Sequence, residues 1–484
     1  MEHAVVERCL VVKSGGVFTT RPSVKVFDPY ARVRLKFAEH AAPSFPMTPA
    51  AFAASRPGRK KRMYQDIQAD FLETVYDFDR EACTSSFVKC EKTQQRTEPN
   101  LDQPGLAKDP VPRCINTRNA PFHMLYGRYT VPVEKQVYDE WSKVFGFPLI
   151  TKCLTSTQKA ALLRDHWDHV AQFGKPVAIS LDYSRMDQHE QEPALRFGHW
   201  TVAVHYPPHC QGELNKVIKK QLNNHTKARC KDGKLSANLG AMRMSGDMDT
   251  SLGNCSIAAA NLYLFLKDSG ISKRIARAVL DGDDAVIIVP SHMLSKLYGI
   301  TGYFHQLGFS LTLEPPVYIF EQIEFCQTRP VWLGSKWMMV RDPEKVLNCD
   351  LSGYNNLLNL KYTRQLFHAI GTGGLALARG VPVLQAFYLM AQRIGLKGKT
   401  LKDFSDVAHF GWARLAYMEG YHSSPLPIDD EARLSFWRAF GIPPSTQTIL
   451  EAEFAEVTLS EEVHWALAND TYLLTQTSIP LLPF

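Results

Sequence analysis

Val279–Val289 restricts the fold more than any other stretch of the chain. It reads Val-Leu-Asp281-Gly282-Asp283-Asp284-Ala-Val-Ile-Ile-Val, two apolar runs bracketing an acidic turn. The pattern predicts two buried strands closed into a hairpin, with Gly282 permitting the tight backbone. Carboxylates packed this closely repel one another unless a positive charge neutralises them, and hard oxygen ligands select magnesium or manganese. A solvated Asp-Gly hairpin would carry the same letters, so the rest of the chain has to decide between the two.

At 484 residues the chain is longer than a single core sustains, and two or three subdomains are expected. A hydrophobic fraction of 45% and a charged fraction of 21% exclude a disordered polypeptide. The net charge of +6 permits a polyanionic partner without requiring one. Ten cysteines with no C-x-x-C pair read as reduced thiols of a cytosolic protein. Charges inside Met1–Leu10 argue against a signal peptide. Gly373–Leu396 is interrupted by Arg379, Gln385, Gln392 and Arg393, which predicts core helices rather than a membrane span.

Near the N-terminus, Ala4–Val12, Val24–Phe27 and Val33–Phe37 alternate like short strands, and Asp66–Phe78 has helical spacing. Arg56–Arg62 packs five cations into seven residues, either a solvated face or a nucleic-acid contact. Phe87–Lys92 and Val111–Arg118 read as two strands bearing Lys89, Lys92, Arg113 and Arg118. Such a positive wall suits a triphosphate, although edge-strand cations in water would look the same. Thr157–Gln172 is predicted helical, and Val177–Asp182 is an apolar strand ending in a carboxylate, with Asp187 just past the following turn. His199, His205, His209 and Cys210 fit no zinc spacing.

Ser245-Gly246-Asp247-Met248-Asp249-Thr250-Ser251-Leu252-Gly253-Asn254 is a polar loop leading into an apolar helix, Cys255–Lys267. Thr250 and Asn254 fall on one helix face, whereas hydroxyl capping of the first turn is the plainer explanation of Ser and Thr there. Lys231–Lys234 suggests a hairpin. Ser291–Leu307 is predicted as a helix closed by Gly308, followed by strands at Phe309–Leu313 and Val317–Phe320 and a hairpin from Ile323–Trp332 to Lys336–Arg341. From Leu351 onward the spacing is helical, with breaks at Gly371–Gly374, Gly380, Pro382 and Pro425–Pro427.

Taken in order, cationic strands, Asp182-x4-Asp187, Ser245-Gly246-x3-Thr250-x3-Asn254 and Gly282-Asp283-Asp284 resemble the palm motifs of viral RNA-dependent RNA polymerases. Asp187-Gln188-His189, Ser245–Asn254 and Ile323-Glu-Phe-Cys326-Gln327 are similar to the tombusvirus and carmovirus-like group of positive-strand RNA viruses. The resemblance spans about Phe87 to Arg341. It implies an α+β right-hand polymerase in closed form, with fingers, an antiparallel palm sheet and a helical thumb. The expected divisions are 1–80 (N-terminal extension and fingertips), 81–178 (fingers), 179–340 (palm, with a fingers insertion at about 190–240) and 341–484 (thumb, whose tail Thr471–Phe484 bears on initiation).

The same resemblance implies two-metal nucleotidyl transfer with two Mg2+ ions, Mn2+ substituting, on Asp182, Asp283 and Asp284. Asp187 and Asn254 would read the ribose 2′-hydroxyl, with Ser245, Gly246 and Thr250 completing that network. Lys89, Lys92, Arg113 and Arg118 would meet the triphosphate or RNA, and Phe325, Cys326 and Gln327 would grip the primer strand. Relatives often carry a lysine after the helix–Gly element, but Gly308–Glu314 has none, so no general acid is assigned; His305, a water or a basic fingers residue stays open. Implied partners are RNA template and nascent RNA, NTPs, a membrane-anchoring replication protein and a possible oligomer, in cytoplasmic membrane-bound replication complexes. A reverse transcriptase, a non-catalytic RNA-binding protein with a decayed palm, and a mere metal-binding hairpin are the rival readings.

Overall fold

The computed structural model describes residues 1–14, 17–71, 77–89, 111–230, 233–351, 359–404, 411–420 and 424–458. In chain order its strands are β1 (Val12–Ser14), β2 (Val17–Thr19), β3 (Thr84–Val88), β4 (Cys114–Thr117), β5 (Pro176–Tyr183) and β6 (Asn224–Cys230). They continue as β7 (Gly233–Gly240), β8 (Arg277–Asp281), β9 (Asp284–Pro290), β10 (Leu311–Leu313), β11 (Thr328–Trp332) and β12 (Trp337–Arg341). The chain divides into two compact units, one of residues 1–89, 93–152 and 169–315, the other of 90–92, 153–168 and 316–484.

In the first unit the acidic hairpin forms as its sequence demands. β8 and β9 pair antiparallel from Arg277↔Ile288 to Asp281↔Asp284, leaving Gly282 and Asp283 as a two-residue turn. Gly282 takes the first turn position at φ 79°, where a side chain would be strained. Val279, Leu280 and the Val286–Val289 run are all buried. Each such side chain contributes roughly 1.5–3 kcal/mol of burial. β5 adds to β9 along its length, from Pro176↔Pro290 to Asp182↔Asp284, and β10 closes the other side of β5. The result is a four-stranded, wholly antiparallel sheet in the order β10-β5-β9-β8.

Helix Thr250–Asp268 packs near this sheet and is apolar around most of its circumference, with Leu252, Cys255, Ile257, Leu262 and Phe265 all buried. An all-round apolar helix must be enclosed. Helices Ala120–Phe145 and Glu192–Ala203 enclose it, in a core that stacks Tyr30 on Phe197 at 4.6 Å and sets Trp141 beside Phe37. In a second sheet of order β4-β3-β6-β7, β6 and β7 pair antiparallel down to Cys230↔Gly233, flanking the expected Lys231–Lys234 turn, whose residues 231–232 lie outside the described residues, and the β3/β6 pair is parallel.

The second unit is a separate core of Val331, Met338, Val340 and helical residues such as Leu366, Phe387 and Phe436. β11 and β12 make its hairpin, and beyond Arg341 every described regular element is helical.

Several expectations are corrected. Ala4–Val12 is largely helical, as Glu2–Val5 followed by a π-helical turn at Val6–Leu10, because a short apolar run does not distinguish strand from helix. Val33–Phe37 lies in helix Ala31–Ala38: Val33 and Phe37 are buried four residues apart while Leu35 is 75% exposed. Val24–Phe27 and Val317–Phe320 form no strand. Ser291–Leu307 splits into 3-10 turns at Ser291–Leu297 and a helix at Ile300–Gln306. Gly371–Gly374 does not break helix Leu360–Ala376. A Cβ on Gly371 would stand 2.6 Å from the Tyr388 carbonyl oxygen, and one on Gly374 would stand 2.1 Å from the Tyr388 ring. These glycines admit a neighbouring helix rather than end their own.

Candidate active site

Sheet register brings the predicted carboxylates together. Asp182 lies directly across from Asp284, with Asp283 exposed on the adjoining turn. Desolvation first, then the charges of Asp283 and Glu314, holds the Asp182 carboxyl above the ordinary Asp range. Glu314 follows β10, where its amide donates to the Ser180 carbonyl at 3.0 Å; no motif in the sequence marks it, since Gly308–Glu314 is distinguished only by its lack of a lysine. Crowded oxygen donors whose mutual repulsion is already felt are a fit for a hard divalent cation. Among the described residues these acids converge in pairs, and no group of three or more is drawn into a ready coordination cluster.

Asp281, the third acid of the hairpin, has a different environment. It is 8% exposed, ion-paired with Lys152 and accepts a hydrogen bond from the Thr151 hydroxyl at 3.2 Å. The Lys152 ammonium also stands 3.8 Å from the point where a Cβ on Gly282 would lie. Lys152 is thus the cation that holds the root of the turn. Its only sequence signal was a lysine before a helix.

Asp187 sits on the short helix Met186–His189, and its Oδ1 accepts from Asn254 Nδ2 at 2.9 Å. Burial raises the Asp187 pKa, opposed by the Asn254 hydrogen bond and by the charges of Arg243 and Arg113, while Asp283 adds to the rise. The predicted pair therefore exists and lies within electrostatic range of the acidic turn. Asn254 Oδ1 is buried and finds no partner among the described residues.

Ser245 and Thr250 are bonded elsewhere. The Ser245 hydroxyl donates to the Cys114 carbonyl and accepts from the Asn116 amide, both at 3.3 Å, tying the loop to β4. The Thr250 hydroxyl donates to the Met244 and Asp247 carbonyls, so it folds the loop and does not cap amides. Gly246 is needed for close approach, since a Cβ there would stand 2.7 Å from the Asn116 carbonyl oxygen.

The four predicted phosphate cations part company. Arg113 is exposed and Lys89 half-buried, their residues joined across β3 and β4 by a 2.8 Å backbone bond from the Lys89 amide to the Arg113 carbonyl. Lys92 lies outside the described residues. Arg118 is 3% exposed and fully engaged: Nε donates to Asp247 Oδ1 at 2.8 Å, the two Nη groups to the Ala82 carbonyl and Asn224, and the guanidinium lies 4.9 Å from the Phe122 ring centre. It is a buried structural ion pair, not part of an open cationic wall. His199 faces Asp249 and His205 faces Glu140, so the histidines of that region serve different partners.

Within the second unit, Phe325-Cys326-Gln327-Thr328 is a tight turn closed by two backbone bonds between Phe325 and Thr328. Cys326 and Gln327 have φ of 52° and 58°, left-handed values at two successive non-glycine residues. Each stores about 1 kcal/mol of strain, the kind retained where a side chain has a use.

A family model described as viral RNA dependent RNA polymerase matches residues 1–462. The RNA-directed RNA polymerase of Tobacco necrosis virus (strain D) is 31% identical over 477 residues, covering 98% of this chain and 64% of the relative. That of Oat chlorotic stunt virus is 32% identical over 490 residues (96% and 63%), and that of Melon necrotic spot virus 33% over 440 residues (90% and 53%). The chain thus spans somewhat less than two thirds of the length of these relatives.

Proposed function

Since the chain belongs to the viral RNA-dependent RNA polymerase family, we propose that it extends RNA from ribonucleoside triphosphates on an RNA template, replicating a positive-strand viral genome. The observation that carries this reading is the juxtaposition of Asp182 and Asp284 across one sheet, with Asp283 between strands and the Asp187–Asn254 pair in electrostatic reach. Asp182 and Asp283, with Asp284, would hold two divalent ions, magnesium or manganese, which when bound supply an acidified primer 3′-hydroxyl and charge neutralisation at the departing pyrophosphate.

The chain's own residues do the rest. Asn254 Oδ1 offers an unfilled acceptor for a ribose 2′-hydroxyl, beside the Asp187 carboxylate. A deoxyribose would leave the buried Asn254 Oδ1 without a donor, which is why a site of this kind rejects it strongly. Arg113 and Lys89 face the incoming triphosphate, and the Phe325–Gln327 turn meets the primer strand. The four divisions 1–80, 81–178, 179–340 and 341–484 act as N-terminal extension, fingers, palm and thumb of a closed right hand. Exposed Lys60, Lys61 and Arg62 add to an RNA track whose affinity falls with salt. None of the described helices is long and apolar enough to cross a membrane. We place its work in cytoplasmic membrane-bound replication complexes, with a membrane-anchoring replication protein as partner.

The test is incorporation of labelled nucleotides on an RNA template with magnesium or manganese, with and without chelator, offering rNTPs against dNTPs. Chelator-sensitive rNTP incorporation is expected; preference for dNTPs would turn the reading to reverse transcription. Asp187→Ala should lower the rNTP:dNTP preference at least tenfold, about 1.4 kcal/mol. An unchanged ratio would remove the ribose assignment.

A further inference from the structure

We infer that Arg243 is the positioning residue behind ribose selection, holding the Asp187 backbone and the root of the Asn254 helix at one fixed spacing; this rests on the ribose reading of Asp187 and Asn254 given above. Arg243 is among the largest fully buried side chains, 1% exposed, although no part of it lies in a predicted motif position. Its backbone amide donates to the Asp187 carbonyl at 3.1 Å. Its Nε donates to Glu190 Oε2 at 2.9 Å, three residues beyond Asp187, and its Nη1 donates to Asp249, the residue preceding helix Thr250–Asp268.

Asp249 is itself fixed from several sides. Its carbonyl accepts from the Gly253 amide at 2.7 Å, and its carboxylate accepts from the Tyr126 hydroxyl at 3.0 Å and Gln221 Nε2 at 3.2 Å. Arg243 therefore fastens the segment carrying Asp187 to the segment carrying Asn254 through three separate bonds. Glycines make the room. A Cβ on Gly253, next to Asn254, would fall 2.1 Å from Arg243 Nη2, and one on Gly198 would fall 3.3 Å away. Burial pushes the Glu190 carboxyl up to about 8, against the opposing pull of the Arg243 charge and hydrogen bond. A planar fork holds the Glu190 and Asp249 carboxyl groups at once and at a fixed separation; an ammonium on a flexible stem does not.

Selection against deoxyribose needs this rigidity. If the Asp187 and Asn254 segments drift, the Asn254 Oδ1 finds water or a new partner, and a missing 2′-hydroxyl no longer leaves it unpaired.

The test is Arg243→Lys, with kcat and KM measured separately for rNTPs and dNTPs on an RNA template. The expected result is an rNTP:dNTP ratio of kcat/KM lowered about tenfold, mainly through a raised KM for rNTPs. The control is Arg341→Lys in the second unit, where Arg341 bonds Asp350 at 2.7 and 2.8 Å and also Tyr388. It should lower the thermal midpoint and leave the ratio unchanged. Glu190→Gln, which keeps the shape but alters the acceptor, should lower the ratio about threefold and serves if Arg243→Lys does not fold. A ratio within twofold of wild type in a folded Arg243→Lys or Glu190→Gln protein overturns the inference. If Asp187→Ala also leaves the ratio unchanged, the ribose reading has failed; if Asp187→Ala lowers it and Arg243→Lys does not, only the role of Arg243 has.

Discussion

Asp283→Ala is expected to reduce labelled-rNTP incorporation by about a thousandfold, roughly 4 kcal/mol of barrier, with little change in folding. Asp283 is exposed on a turn and contributes nothing to the core. Removing it also removes a like charge that raises Asp182, so the thermal midpoint should hold or rise slightly. Asp283→Asn should lose as much activity, because an amide keeps the size but not the charge that two cations require. Extension above a few per cent of wild type in either variant would sink the two-metal assignment. Asp281 provides the contrast. Its charge is spent on Lys152, so Asp281→Asn should act first on stability and on the seating of the turn.

What the sequence made legible was the part governed by local rules. Period and composition were enough for the β8–β9 hairpin, because two apolar runs around a glycine have few other ways to fold. The same holds for β5 ending near Asp182 and for the apolar helix after Thr250, whose Asn254 does meet Asp187. The pairing of Asp182 with Asp284 is non-local, and it was reachable only through the resemblance.

The failures share one cause: burial of a charged or small residue is decided by partners far away in the chain. Nothing near Arg243 announces Glu190 at one side and Asp249 at the other, and nothing near Gly374 announces the Tyr388 ring. Val33-x-Leu35-x-Phe37 alternates as a strand would, but only Val33 and Phe37 meet the core. Arg118 is the most consequential case, since strand spacing placed it in line with Lys89 and Arg113 and the structure turns it inward.

Arg118→Ala is accordingly expected to destabilise the first unit by about 3–5 kcal/mol, the loss typical of breaking a buried ion pair from one side. Asp247 would be left at 8% exposure with only Gln221 Nε2, at 2.7 Å, as a hydrogen-bond donor to its side chain among the described residues. The Ala82 carbonyl would lose a donor and the Phe122 face its cation. Arg118→Lys should recover little, because one ammonium cannot serve Asp247, Asn224 and a carbonyl in three directions. Asp247→Asn, which leaves the arginine charge uncompensated, should cost a comparable amount, and the double variant less than the sum of the two. Urea unfolding followed by a probe in the first unit reads these values. A triphosphate-binding arginine would give the opposite result: unfolding unchanged, with the KM for NTPs raised about tenfold or more. Arg113→Ala, at the exposed end of the same strand, is where that second pattern belongs.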